Sequence, residues 1–188
     1  MYSKGFDPGP IADITSYIES DRSTLVFVRH LPAGPELVWV ALTEPTRLRL
    51  WAPFTAERDL TSASKINLRI ADGVHAADLL AIVFRATPPT LLEYSWGTDH
   101  LTWELAASGT GTRLTLHHVV KNSDWLPSLA AGWHLCLAAA ERVLDGRPIE
   151  PIVGSKVRRY GWDRLYEAYE ARLGIRGTKW PDDFFPTG

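Results

Sequence analysis

A chain of 188 residues, 45% hydrophobic and 22% charged, has enough apolar material for one substantial core and too little length for two full domains. Its formal net charge of -2 supplies no clustered cationic field for nucleic acid, and no apolar run reaches the length of a bilayer span. The single cysteine, Cys136, excludes an intrachain disulfide framework, and the opening MYSKGFDPGP has no apolar targeting segment, so a cytoplasmic protein without membrane insertion is expected. Eight tryptophans exceed the ordinary needs of core packing and point to an interior or groove lined with rings.

Residues 1–20 mix Gly, Pro and small polar residues with Ile11, Ile14, Tyr17 and Ile18, and read as a loose arm with one helical turn. The β-rich run Thr24 to Leu31 is the first strand, ended by Pro32 and Gly34. From Pro35 the spacing turns helical, with Leu37, Val38, Ala41 and Leu42 on one side and Trp39 nearer the flank, until Pro45 interrupts. A second short helix, TRLRLW, follows. Six strands then succeed one another directly: Phe54 to Leu60, Lys65 to Ala71, Asp78 to Ala86, Thr90 to Trp96, Leu101 to Ala107 and Thr112 to Val120. Turn residues join them, Asp72-Gly73, Pro88-Pro89, Gly97-Thr98-Asp99 and Ser108 to Gly111, which predicts an antiparallel meander. Alternation places Trp96, Trp103, Leu105, Leu116 and His118 on one face, with His117 on the other. DLLAIVFRA is apolar on both faces, so its register stays open.

Asp124 to Gly146 is the organising element. Leu126, Leu129, Trp133, Leu137 and Leu144, with Ala130 and Ala140 between them, recur three or four apart and draw one apolar stripe along a helix. Asp124 is placed to cap it, Pro127 fits its first turn, and Gly146 and Pro148 end it. Its other flank, Ala131, Leu135, Ala138 and Ala139, is poor in charge. A second helix over Ser155 to Leu173, carrying Tyr160, Trp162, Tyr166 and Tyr169, is expected to cover that flank. The last residues hold Trp180, Phe184 and Phe185, expected as a strap over the domain or a contact with a second copy.

One strand, two short helices, six antiparallel strands and a long helix form the helix-grip order. The chain resembles the SRPBCC superfamily of birch pollen allergen, START lipid-transfer domains and polyketide cyclases. Within it, the chain is most similar to the branch named for the activator of heat-shock-protein-90 ATPase. The residues that carry the resemblance are PELVWVALT at Pro35 to Thr43 with Trp51, LEYSW at Leu92 to Trp96, GTRLTLHH at Gly111 to His118, GWHLCL at Gly132 to Leu137 and the tail GWDRLYEAYEARLG. It implies an α+β fold in which a curved antiparallel sheet of about seven strands wraps the long helix and leaves a cavity between them. Residues 1–188 are read as a single domain, with an arm over 1–20, a helix-grip core over 24–146 and a C-terminal helical extension over 147–188. The activator that names the branch also uses a separate N-terminal domain to engage its chaperone; nothing of that size precedes Thr24, so chaperone activation is not the leading expectation.

The rings supply the candidate site. Trp39, Trp51, Tyr94, Trp96, Trp103, Leu116, His118, Leu129 and Trp133 are predicted to line a cavity for a small hydrophobic or aromatic ligand, the competing reading being that they simply fill a core. Gly132 in mid-helix indicates a close approach, by ligand or by side chain. His118 is read as a buried structural imidazole or, in an enzymatic alternative of the cyclase, dehydratase or hydrolase kind, as the acid/base. His134 is expected on a solvated helix flank or at the pocket rim, and Asp99-His100 as turn chemistry only. No metal or other cofactor is expected: His117 and His118 point to opposite faces, and no histidine pair has helical ligand spacing. Mid-helix Cys136 is expected to be an inert thiol. The leading expectation is therefore non-enzymatic binding of a small hydrophobic ligand, with enzymatic, partner-binding and homodimeric alternatives.

Overall fold

The computed structural model describes residues 6–70 and 77–179. The Asp72-Gly73 turn and Trp180, Phe184 and Phe185 lie outside the described residues.

Eight strands form one sheet among the described residues: β1 (Asp13–Glu19), β2 (Arg22–Leu31), β3 (Phe54–Ala56), β4 (Ser64–Ile70), β5 (Asp78–Thr87), β6 (Leu91–Trp96), β7 (Asp99–Ser108) and β8 (Gly111–Val120). The spatial order is β1-β2-β8-β7-β6-β5-β4-β3, and every neighbouring pair is antiparallel. Two short helices, α1 (Pro35–Thr43) and α2 (Pro45–Leu48), separate β2 from β3. The long helix α3 (Leu126–Leu144) follows β8, and α4 (Trp162–Leu173) comes after a 3-10 turn at Gly154–Tyr160. This is the helix-grip α+β fold, with the curled sheet around α3.

The arm departs from expectation. Residues 13–19 form β1, paired with β2 from Asp13↔Val28 to Glu19↔Arg22, and no helical turn is present there. An edge strand is held by its backbone ladder, so it needs little apolar alternation, and only Ile14 of this strand is buried. β1 thus raises the strand count from about seven to eight. β3 is also shorter than predicted, stopping at Ala56.

In α1 the stripe is rotated. Trp39 is buried while Leu37 is 62% exposed, so the helix turns its larger ring inward, where more apolar area leaves water. The ambiguity of β5 is resolved in the same way: Ala81 and Val83 face the core, and Leu80, Ile82 and Phe84 lie outside at 61%, 40% and 46% exposure. Phe84 stacks on His100 at 5.1 Å, which partly covers its ring.

The start of α3 is prepared by a 3-10 turn, Ser123–Trp125. Asn122 rather than Asp124 caps it, accepting the Asp124 N–H at 2.9 Å. Pro127 lies in the first turn of α3, as predicted. At the other end Gly146 takes φ of 70°, and the N–H groups of Asp145, Gly146 and Arg147 bond the carbonyls of Glu141, Val143 and Arg142. Helix α4 packs on α3, burying Trp162, Leu165, Tyr166 and Tyr169, and Ala131, Leu135, Ala138 and Ala139 of α3 are all buried. The chain then returns across the start of α3. There Thr178 N–H donates to Asp124 O at 2.8 Å and Ser128 Oγ donates to Thr178 O at 2.6 Å.

Candidate functional site

The face predicted from strand phase is the one α3 meets. Leu101, Trp103, Leu105, Leu114, Leu116, His118 and Tyr94 are all buried, and cross-strand register sets Trp103 opposite Leu116 and Leu101 opposite His118. Onto this face α3 lowers Trp133. The rings meet edge to face: Trp103 and Trp133 at 5.2 Å, Trp51 and Trp103 at 6.3 Å, Trp96 and Trp133 at 5.7 Å. Phe54 adds contacts to Tyr94 at 6.0 Å and Trp96 at 5.7 Å. Such contacts place ring edges against π faces and fill space that would otherwise be cavity.

The polar tips inside the cluster are paired. Trp51 Nε1–H donates to Ala41 O at 2.9 Å, and Trp103 Nε1–H donates to Tyr94 Oη at 3.1 Å. Burial pushes the Tyr94 phenol well above its ordinary range, against the smaller opposing effect of that bond, so it stays protonated. Trp133 Nε1–H donates to His118 Nδ1 at 2.9 Å, which leaves the proton of a neutral imidazole on Nε2, 3.0 Å from Asp99 Oδ2. His118 is fully buried with both nitrogens engaged. Asp99 is therefore more than turn chemistry. It lies two positions before Leu101, the cross-strand partner of His118, and its carboxylate reaches the imidazole from the hairpin end.

An open pocket of about 100 Å³ remains beside this cluster. Leu129, Gly132, Trp133 and Cys136 of α3 form its floor, and Trp96 with Ile70 and Pro53 forms the sheet side. Its remaining wall is the stretch between α3 and α4, through Ile152, Val153, Gly154 and Val157. The wall is almost wholly apolar. Of the nine predicted site residues, Trp96, Leu129 and Trp133 line it; Trp39, Trp51, Tyr94, Trp103, Leu116 and His118 belong to the filled core. Six of the nine thus pack in the core, and three border open space. Gly132, in the middle of α3, is part of that floor. Ile152, Val153 and Gly154 carry no periodicity that sequence reasoning could use, and Val157, expected in the first turn of the C-terminal helix, lies instead in the 3-10 turn that precedes it. Burial pushes the Cys136 thiol up to about 12, so it is a neutral apolar wall group at physiological pH.

His134 is neither solvated nor at the pocket rim. It is fully buried on the opposite side of α3, with Nε2 2.7 Å from Pro8 O and Nδ1 2.7 Å from Tyr169 Oη. A carbonyl only accepts, so Nε2 carries the proton and Tyr169 O–H donates to Nδ1; Tyr169 Oη accepts the Ala12 N–H at 2.8 Å. Burial lowers the His134 pKa to about 4, with smaller opposing help from the Pro8 carbonyl. One imidazole thus ties the N-terminal arm, α3 and α4 together. Among the described residues no group of three His, Cys, Asp or Glu side chains converges as a metal site would require. No helix there is long and apolar enough to cross a membrane.

A curled antiparallel sheet gripping one long helix, with an apolar pocket between them, defines a helix-grip protein of the SRPBCC type. Residues 32–145, more than half of the chain, match the family described as activator of Hsp90 ATPase homolog 1-like protein, and the chain belongs to that family. A conserved protein of unknown function from Enterococcus faecalis superposes with a TM-score of 0.68 at 16% identity, covering 88% of this chain and 92% of that one. CalU16 from Micromonospora echinospora gives 0.63 at 20% identity, over 85% of this chain and 95% of that one. A Bordetella parapertussis protein gives 0.60 at 21% identity, over 89% and 94%. These identities carry the fold alone. No curated protein matches the chain.

Proposed function

We propose that this protein binds a small apolar or aromatic molecule, non-enzymatically, in the pocket between Trp96, Trp133 and Gly132. The observation that carries the reading is a nearly all-carbon pocket at a break in an otherwise filled ring core, opened by a glycine in the middle of α3. Glycine there costs the helix about 1 kcal/mol relative to alanine, and a binding space is a use that offsets it. At about 100 Å³ the pocket is smaller than the enclosed cavity of about 150 Å³ that accepts benzene, so it suits a short alkyl chain or one ring that projects through its open side. Trp96 and Trp133 supply ring faces, and Leu129 supplies aliphatic contact. The non-catalytic reading is supported by His118, whose two nitrogens are spent on Trp133 and Asp99 and which is absent from the pocket wall. A cytoplasmic setting is supported by the lone buried thiol of Cys136.

The test is an NMR titration with benzene and indole, following the Trp96 and Trp133 indole N–H signals, with native mass spectrometry of gently purified protein for a retained ligand. Saturable shifts confined to the pocket are expected, and Gly132→Leu should abolish them by filling the space. Unchanged binding in a folded Gly132→Leu protein, or no binding of either probe and no retained ligand, would overturn the reading.

A further inference from the structure

A second concavity, of about 600 Å³, lies on the opposite side of α3 from the apolar pocket. At about 100° per residue, Ala138, Glu141, Arg142 and Asp145 face roughly half a turn away from Leu129, Gly132, Trp133 and Cys136. Residues 6–13 form one wall, the end of β2 another, and Arg113 of β8 stands at the mouth. This volume is within the range of small-molecule sites.

Four arginines and four carboxylates line the cleft, but they are not evenly paired. Glu141 is held by Arg29 at 2.7 Å, Asp145 by Arg147 at 2.8 Å, and Asp13 lies 3.7 Å from Arg172 outside the cleft. Asp7, exposed at the rim, accepts the Gly9 N–H at 2.9 Å. Two guanidinium groups are left without a carboxylate among the described residues. Arg113 donates only to the neutral Thr115 Oγ at 3.1 Å. Arg142 is the more telling, because its Nε–H is shut off from water and has no hydrogen-bond partner. A buried donor left unmade costs free energy, and an atom closed to water is equally closed to a ligand oxygen, so Nε–H leaves the guanidinium without an internal tie while its terminal nitrogens are the ones a head group can meet. The negative end of the α3 dipole opposes an anion here. However, the carbonyls of Glu141, Arg142 and Val143 are already taken by backbone N–H groups, which weakens that opposition.

We propose that this cleft binds a small organic anion, a carboxylate or phosphate monoester, with Arg142 as the inner anchor, Arg113 at the mouth and Phe6 and Ala138 against its apolar part. Guanidinium forks suit both head groups, which present oxygens in matching geometry. The site is separate from the apolar pocket and stands or falls independently of it.

The experiment is a titration of the full chain with benzoate and with phenyl phosphate at constant ionic strength, sodium chloride being the control, following the arginine Nε–Hε signals by NMR. The expected result is a saturable shift at Arg142 and Arg113 with one or both probes, the more effective probe naming the head group. Arg142→Gln should weaken binding about tenfold or more, whereas Arg147→Gln, already paired, should leave it within about twofold. Gly132→Leu should leave these shifts intact, which separates them from ring binding in the apolar pocket. Shifts that match chloride, that fail to saturate, or that survive unchanged in a folded Arg142→Gln protein would overturn the proposal. The wild-type titration decides it even if that variant does not fold.

Discussion

His134 makes acid sensitivity a quantitative consequence of packing. In the folded protein its pKa is lowered to about 4 by burial, whereas an unfolded chain returns it to about 6.5. A lowered histidine pKa means the unfolded chain takes up the proton first. The stabilisation is therefore complete above about pH 6.5 and is lost progressively as pH falls toward 4. At about 1.4 kcal/mol per tenfold change in proton affinity, the gap amounts to roughly 3 kcal/mol, a large share of a domain's usual margin. Protonation also turns Nδ1 from acceptor to donor against Tyr169, so the contact between α3 and α4 should loosen first. The assay is urea unfolding from pH 4 to 8 for the wild type and His134→Phe, with a direct NMR titration of the His134 ring. His134→Phe should be less stable at pH 7 by about 2–4 kcal/mol, because Pro8 O and Tyr169 Oη lose a buried partner. Between pH 6.5 and 4 it should also lose about 3 kcal/mol less than the wild type. Carboxylates held low by exposed partners, Glu57 by Asn67, Asp78 by Arg69 and Glu150 by Lys156, are common to both proteins and cancel. A native His134 that titrates near 6.5, or equal pH slopes in the two proteins, would refute the reasoning.

Other outcomes follow from the same geometry. Trp133→Phe keeps a ring but leaves His118 Nδ1 buried without its donor, and should cost about 1–3 kcal/mol in chemical denaturation. On β5, Val83→Ala should cost about 1–3 kcal/mol while Ile82→Thr stays within about 0.5, a contrast that thermal melting reads directly. Cys136 should react with iodoacetamide at pH 7 far more slowly than a free thiol, because burial keeps it protonated even where it lines the pocket; reaction at the rate of a free thiol would contradict this. Truncation after Arg147 exposes Ala131, His134 and Leu135 and removes the buried rings of α4, so the melting temperature should fall by more than about 10 °C or folding should fail.

What could be read without coordinates is what repeats along the chain. The period-two pattern of β6, β7 and β8 was enough to set Trp103, Leu116 and His118 on one face. The three-and-four spacing of α3 was enough to predict a helix apolar on both flanks and hence covered by α4. These signals are local, so each segment carries its own evidence. The edge strand β1 carried no such signal, because backbone pairing with β2 holds it whatever side chains it displays. The orientation of β5 was equally undetermined, since LLAIVF is apolar in both phases and only the position of the core chooses between them. The site itself depended on contacts between distant segments. His118 needed Asp99 and Trp133 to become a saturated structural imidazole, and His134 needed Pro8 and Tyr169 to become a buried clasp. Which tryptophans fill the core and which face open space was decided by the fit of α3 against the sheet and by the wall at Ile152 to Val157. Composition and periodicity say that rings will be buried; only packing in three dimensions says where the rings run out and a pocket is left.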